Sequence, residues 1–201
     1  MESSGRDSPE GGITMCCRFY TDDTTKKDIL GLADGYDRKI NWLREGDVHP
    51  GDPAIVITGE NGKLYAKELK WGFSGNRINA RSETVQNKIT FADSFKERRC
   101  VIPAKHFYEW DREKNKVQFS AEGEGPVYLA GIYSKENFVV LTADAGESMR
   151  PVHDRQPLVL KREELPDWMG DREKAAVLLG KAPEEFSVYR EYEQLSLYEY
   201  F

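Results

Sequence analysis

Cysteine is scarce in this chain of 201 residues, with three in all and two of them adjacent at Cys16 and Cys17. An odd, small number does not build the disulfide framework of a secreted scaffold. Neighbours in sequence also cannot form the Cys-x-x-Cys clip of a structural zinc site. Histidine is equally scarce, and His49, His106 and His153 stand at no ligand spacing, so no metal is expected. No apolar run approaches the roughly 18 residues of a membrane helix, and the opening MESSGRDSPEGGIT lacks the apolar stretch of a signal peptide. Basic residues are outnumbered, 29 against 35 acidic, for a formal charge of −6, which excludes a uniformly basic nucleic-acid binder. Strand–helix alternation and a glycine-rich phosphate loop are both missing, which argues against the common nucleotide-binding folds. These absences describe a cytoplasmic protein of a reducing compartment, with no membrane partner and no cofactor.

The length suits one domain with a real core, and nine Phe, ten Tyr and four Trp are there to anchor it. Residues 1–14, rich in Ser, Gly, Asp and Glu, read as a disordered leader, a pro-segment or a cloning scar, and the folded domain is expected from Met15 to Phe201 as a monomer. Charge is unevenly spread. From Asn76 to Lys105 seven basic residues meet three acidic ones, whereas from Lys161 to Phe201 six meet ten. A positive middle and a negative end suit an anionic partner meeting one face; the plain alternative is a solvated helix face.

Asp23 or Thr24 can cap a short helix running through Ile29 and Leu32. Residues 54–58 and 64–73 flank Asn61-Gly62, the strongest short hairpin signal because both residues accept the positive φ of a type I′ turn. Short β-branched or aromatic runs at 100–104, 117–121, 127–133, 138–145 and 157–160 read as further strands. Helical pieces are expected at 91–98, 163–169 and 172–179. The fold class is therefore α+β: mostly antiparallel sheets folded over each other or into a partial barrel, with a few short helices. The closing SVYREYEQLSLYEYF either adds an edge strand or contacts a partner.

Four segments carry unusual chemistry: MCCRF at 15–19, WGF with INARSETV at 71–85, RRCVIPAKHFYEW at 98–110, and PVHDRQPLVL at 151–160. In this order they resemble the SRAP family, the SOS-response-associated peptidases or abasic-site processing proteins. The resemblance spans nearly all of Met15 to Trp168, and its one clear departure is Cys17, where the family pattern has glycine. It implies a protein that binds single-stranded DNA at abasic sites and joins the ring-opened sugar aldehyde to an N-terminal cysteine, with a lyase side activity and self-processing. The matching residue is Cys16, exposed once Met15 is lost. A terminal cysteine carries an amine and a thiol as a 1,2 pair, so the amine can condense with an aldehyde and the thiolate can close a thiazolidine ring; an internal cysteine cannot. The amine's ordinary pKa of about 8 leaves a neutral nucleophilic fraction at neutral pH.

By the same resemblance Glu109 moves protons during imine formation, and Tyr108 and Trp110 beside it are placed to desolvate it. His153 serves proton transfer at the sugar and its 3′ phosphate. Asn79 holds the terminal cysteine and substrate in register, Arg18 and Arg81 grip phosphate, and Trp71 and Trp110 stack on flanking bases. The bland alternatives are a buried thiol for Cys16, a surface carboxylate for Glu109, a structural histidine, a turn cap for Asn79, an Arg81–Glu83 surface pair and core packing for the tryptophans. Trp42 and Trp168 read as packing residues, and Cys100 as an inert core thiol. Two rival functions remain: a thiol peptidase or amidohydrolase built from Cys16, His153 and Asn79, and a non-covalent single-strand binding module.

If the positive middle meets DNA, single-strand affinity measured by fluorescence anisotropy falls as salt is added; an affinity indifferent to salt contradicts the assignment.

Overall fold

A computed structural model of the chain describes residues 18–42 and 45–191. Cys16, Cys17 and the leader expected over residues 1–14 lie outside the described residues, as does the tail from residue 192. In chain order the strands are β1 (Arg18–Thr21), β2 (Gly35–Tyr36), β3 (Gly46–Val48), β4 (Pro53–Glu60), β5 (Lys63–Trp71), β6 (Asn79–Arg81), β7 (Arg99–Ala104), β8 (His106–Trp110), β9 (Lys116–Ala121), β10 (Val127–Ser134), β11 (Asn137–Asp144), β12 (Arg155–Pro157), β13 (Val159–Leu160) and β14 (Phe186–Arg190). The helices are α1 (Asp23–Leu32), α2 (Ile89–Glu97), α3 (Leu165–Gly170), preceded by a 3₁₀ turn at Arg162–Glu164, and α4 (Arg172–Leu178).

Among the described residues the strands form two sheets. The smaller has the order β14-β9-β8-β1-β3; the larger runs β12-β11-β10-β7-β4-β5-β2, with β13 added to β10 and β6 to β11. Pairing is mostly antiparallel, the exceptions being β2 with β5, and β5 and β6 with β11. This is the expected α+β class. The larger sheet is covered on both faces, and its strands sort their side chains with the period of two that a pleat imposes. Val127 and Leu129 of β10, Cys100 and Ile102 of β7 and Phe138 and Val140 of β11 face the smaller sheet. Tyr128, Ala130 and Ile132, Val101, and Val139 and Leu141 face the helices, where Ile29, Phe91, Phe95, Trp168 and Ala175 meet them. Burial on both sides is why these strands read as unbroken apolar runs.

Local signals set the element ends. Asp22, one residue before the expected cap, holds extended φ/ψ and accepts from Thr25 N–H at 2.8 Å, starting α1. Asn61 and Gly62 sit at φ 51° and 74° and turn β4 into β5 as the sequence requires. The expected helix at 91–98 begins at Ile89 behind Lys88, which makes no side-chain cap. The run 157–160 is two strands rather than one, because Leu158 N–H reaches back to Leu141 while Val159 and Leu160 pair with β10. Phe186–Arg190 adds an edge strand beside β9, which settles part of the tail question. Buried Arg99 donates to the carbonyls of Phe95 at 2.7 Å and Lys96 at 2.8 Å and to that of Trp168, closing the ends of α2 and α3 that would otherwise bury unpaired acceptors. Trp168 Nε1 donates to Cys100 O at 2.9 Å in the same core. Among the described residues no helix is long and apolar enough to cross a membrane.

Gly131 sits in β10 where a Cβ would come 2.6 Å from Ile102 Cδ1 and 3.0 Å from Val139 O. Gly131→Ala overpacks this point and is expected to lower unfolding free energy by about 1–3 kcal/mol, read from the urea midpoint; an unchanged midpoint contradicts the packing described.

Candidate functional site

The chain enters the described fold at Arg18, which pairs with Tyr108, so the start of β1 lies beside Glu109 on β8. Phe19 and Phe107 point into the inter-sheet core at 0% exposure. Two residues along β8 from Phe107, Glu109 shares that inward face and is 1% exposed. A carboxylate is an expensive group to place there. Arg18 and Trp110 lie on the opposite face, with the guanidinium carbon 5.0 Å from the indole centroid, a cation–π pair. Arg18 also reaches Asp47 at 3.4 Å. Its Nε is buried with no hydrogen-bond partner among the described residues, a donor held in place and unused.

The other two motifs meet at β11. Its central residues pair on one side with β6 (Val140 with Asn79, Thr142 with Arg81) and on the other with β12 (Thr142 with Pro157, Asp144 with Arg155). Arg155 joins them. Its guanidinium grips Glu83 with both nitrogens, at 2.9 Å for the Nη2–Oε2 contact, bonds Asp144, and donates to Thr142 O at 2.7 Å. The Arg155 side chain is only 13% exposed, so this fork holds the segment after β6 against the turn before β12. Arg155 keeps Glu83 below the usual carboxylate range.

His153 sits on that turn, half-buried. Its Nδ1 lies 3.0 Å from the Arg155 backbone N–H and 2.9 Å from Asp154 Oδ1. These contacts suit opposite neutral tautomers: a bare Nδ1 accepts from Arg155, while a protonated Nδ1 donates to Asp154 and leaves Nε2 a base. Burial holds the ring below the ordinary histidine range, outweighing the Asp154 carboxylate, which is mostly exposed. The ring is thus neutral near pH 7, and each tautomer has a partner.

Each of the four motifs has a residue in one and the same inter-sheet core. Phe19, Ile78, Phe107 and Val152, adjacent to or two residues from Arg18, Asn79, Glu109 and His153, all belong to the same inter-sheet core. Asn79 is half-buried and Arg81 exposed. Trp71 is different. It is 1% exposed, its ring tilted against Phe19 at 5.1 Å and stacked on Phe138 at 6.1 Å, and its Nε1 donates to Ile78 O at 3.0 Å. That enclosure makes it a core residue, against the expectation of a base-stacking ring; the period-two pair Leu69 and Trp71 was the signal for this. Trp110 keeps partial exposure. Cys100 is buried, and burial raises its thiol pKa far above the reactive range. Sequence reasoning passed over Arg155 and Glu83 as a pair, although both lie inside quoted motifs; 72 residues separate them.

The family model described as SOS response associated peptidase (SRAP) matches residues 15–195. Among individual proteins, the abasic site processing protein YedK of Escherichia coli (strain K12) is 29% identical over 177 residues, covering 77% of this chain and 79% of YedK. The abasic site processing protein YoqW of Bacillus subtilis (strain 168) is 30% identical over 162 residues, covering 65% of this chain and 71% of YoqW. A crystal structure of a Bacteroides thetaiotaomicron protein superposes with a TM-score of 0.74 at 19% identity, over 87% of this chain and 91% of that one, which is a likeness of fold.

The Glu83–Arg155 fork has a pH signature. Because the folded-state pKa of Glu83 lies below its ordinary 4.5, its stabilisation is complete above that value and is lost as pH falls through the depressed one. Glu83→Gln should lower stability by about 0.5–1 kcal/mol at pH 7, since the Glu83 side chain is partly exposed and screened by solvent, and by progressively less below pH ~4.5, in denaturant titrations across pH. A penalty equal at pH 7 and pH ~3 contradicts the pairing.

Proposed function

The chain belongs to the SRAP family, and from that premise we propose that it recognises abasic sites in single-stranded DNA and captures them covalently through Cys16. Abasic site processing is the activity named for its relatives YedK and YoqW. What supports the reading is that each of the four motifs has a residue in the same inter-sheet core, with Glu109 buried beside it and His153 held below the ordinary histidine range by burial.

The reaction needs Cys16 as the terminal residue, after loss of Met15 or cleavage behind it; self-cleavage there is the peptidase activity this reading assigns. The neutral α-amine adds to C1′ of the ring-opened sugar, the carbinolamine loses water to give an iminium ion, and the Cys16 thiolate closes on that carbon. Aldehyde plus aminothiol gives thiazolidine plus water, with no change of oxidation state. Glu109 on the inward face of β8 supplies the proton to the departing hydroxyl. His153 takes the C2′ proton when the iminium instead eliminates the 3′ phosphate, the lyase branch, which ring closure suppresses. Asn79 positions the terminal residue. The guanidinium groups of Arg81 and Arg18 meet phosphate, and Trp110, already packed with Arg18, stacks beside the lesion. Trp71 has no place in this interface.

The test is intact-mass analysis of Cys16-terminal protein after incubation with single-stranded DNA bearing an abasic site. An adduct of protein plus DNA less one water is expected. Cys16→Ala and Cys16→Ser each keep the amine but lose the thiol, so each gives no stable adduct and is trapped only by borohydride reduction. Glu109→Gln slows capture by about 10²-fold at unchanged affinity for intact single strands. An unmodified mass for the Cys16-terminal protein contradicts the proposal.

A further inference from the structure

The outer face of the smaller sheet carries a wider constellation, of which the capture scheme uses only Arg18 and Trp110. The described helices bury their apolar residues behind the larger sheet, so among the described residues no helix packs its apolar face on this outer face. Phe19, Phe107, Val117 and Phe119 point into the core; the alternate residues Arg18, Tyr20, His106, Tyr108, Trp110, Lys116 and Gln118 therefore point away from it. They are ordered against one another. The rings of cross-strand partners Tyr20 and His106 lie parallel, 4.8 Å apart and 9° off plane. His106 Nε2 is 2.7 Å from Tyr108 Oη. Lys116 Nζ lies 4.8 Å over the Tyr108 ring, beside the Arg18–Trp110 pair.

The seven side chains include no aliphatic one. A docking patch for a folded protein would centre on apolar bulk, whereas the partly exposed rings of Tyr20, His106 and Trp110, set over buried Tyr108 with two cations, an amide and one carboxylate, Asp47, that pairs with Arg18, suit unpaired bases, whose π-faces stack on rings while phosphates meet the cations. A duplex hides its base faces and gains little here. The constellation is also continuous with Arg18 and Trp110, which the reading above puts on DNA. Resting on that reading, we propose that this face is a stacking platform for the unpaired nucleotides flanking a captured abasic site, so that the DNA footprint extends from the start of β1 across β8 to β9. Tyr20, His106 and Lys116 are its distinguishing residues.

The experiment compares two fluorescent, undamaged oligothymidylates, one of about 6 nucleotides, long enough for the lesion site alone, and one of about 20. His106→Ala and Lys116→Glu should each weaken the long strand about fivefold or more and leave the short one unchanged, and Lys116→Glu should reduce the salt slope of the long strand by about one. Lys116 is exposed, so its reversal does not threaten the fold, and thermal melts check both variants. Adduct formation on a short abasic oligonucleotide should proceed as in the parent protein. Wild-type affinity of both variants for the long strand, equal losses on both lengths, or equal competition by duplex DNA overturns the platform. If the parent protein forms no adduct but the variants lose long-strand affinity, the capture reading fails and the platform stands; normal capture with unaltered long-strand binding means the reverse.

Discussion

Phe19, Phe107 and Phe119 of the smaller sheet pack with Trp71, Leu129 and Phe138 of the larger, all at or below 1% exposure, and the site depends on that contact. Each such side chain contributes about 1.5–3 kcal/mol by leaving water. Their position in sequence matters too: the residues proposed for the chemistry are neighbours, or next neighbours, of core residues. Moving Phe107 would move Glu109, and moving Val152 would move His153. The core therefore sets the mutual geometry of groups drawn from four distant segments.

Around that apolar floor the polar groups are held by charge. Arg155 ties Glu83, Asp144 and Thr142 together, so the strand bearing Asn79 and Arg81 cannot drift from the turn bearing His153. Burial keeps His153 neutral against the pull of Asp154, and a neutral ring with alternative tautomers suits the passing of protons better than a fixed imidazolium. Glu109 is buried on the inward face of β8, turned away from Tyr108 and Trp110, against the expectation that these desolvate it, because alternate residues of a strand point to opposite faces. On the outer face the same strands, β1 and β8, present a cation and rings, Arg18 with Tyr20, His106, Tyr108 and Trp110.

The hairpin at Asn61-Gly62 and the long buried strands were legible because turn chemistry and continuous β-branched runs are local signals. Strands β1 and β6 were not, being four and three residues long and existing through partners far away in sequence, such as Val48 for Phe19 and Val140 for Asn79. The run at 157–160 was read as one strand because nothing local shows that Leu158 changes partner. Trp71 shows the limit for single side chains: a tryptophan in a motif suits a base or a core equally, and only the rings of Phe19 and Phe138 on either side decide it. The four motifs were visible in sequence, but the Glu83–Arg155 pairing that joins two of them was not, since ion pairs between distant residues leave no periodic trace.

The most direct measurement compares two preparations of the same chain, one beginning at Cys16 and one retaining Met15 ahead of it, each mixed with abasic single-stranded DNA and followed by denaturing electrophoresis and mass analysis over time. The account predicts a stable adduct from the Cys16-terminal form alone, because only there do amine and thiol share one residue. Equal adduct from the form that keeps Met15 would contradict it.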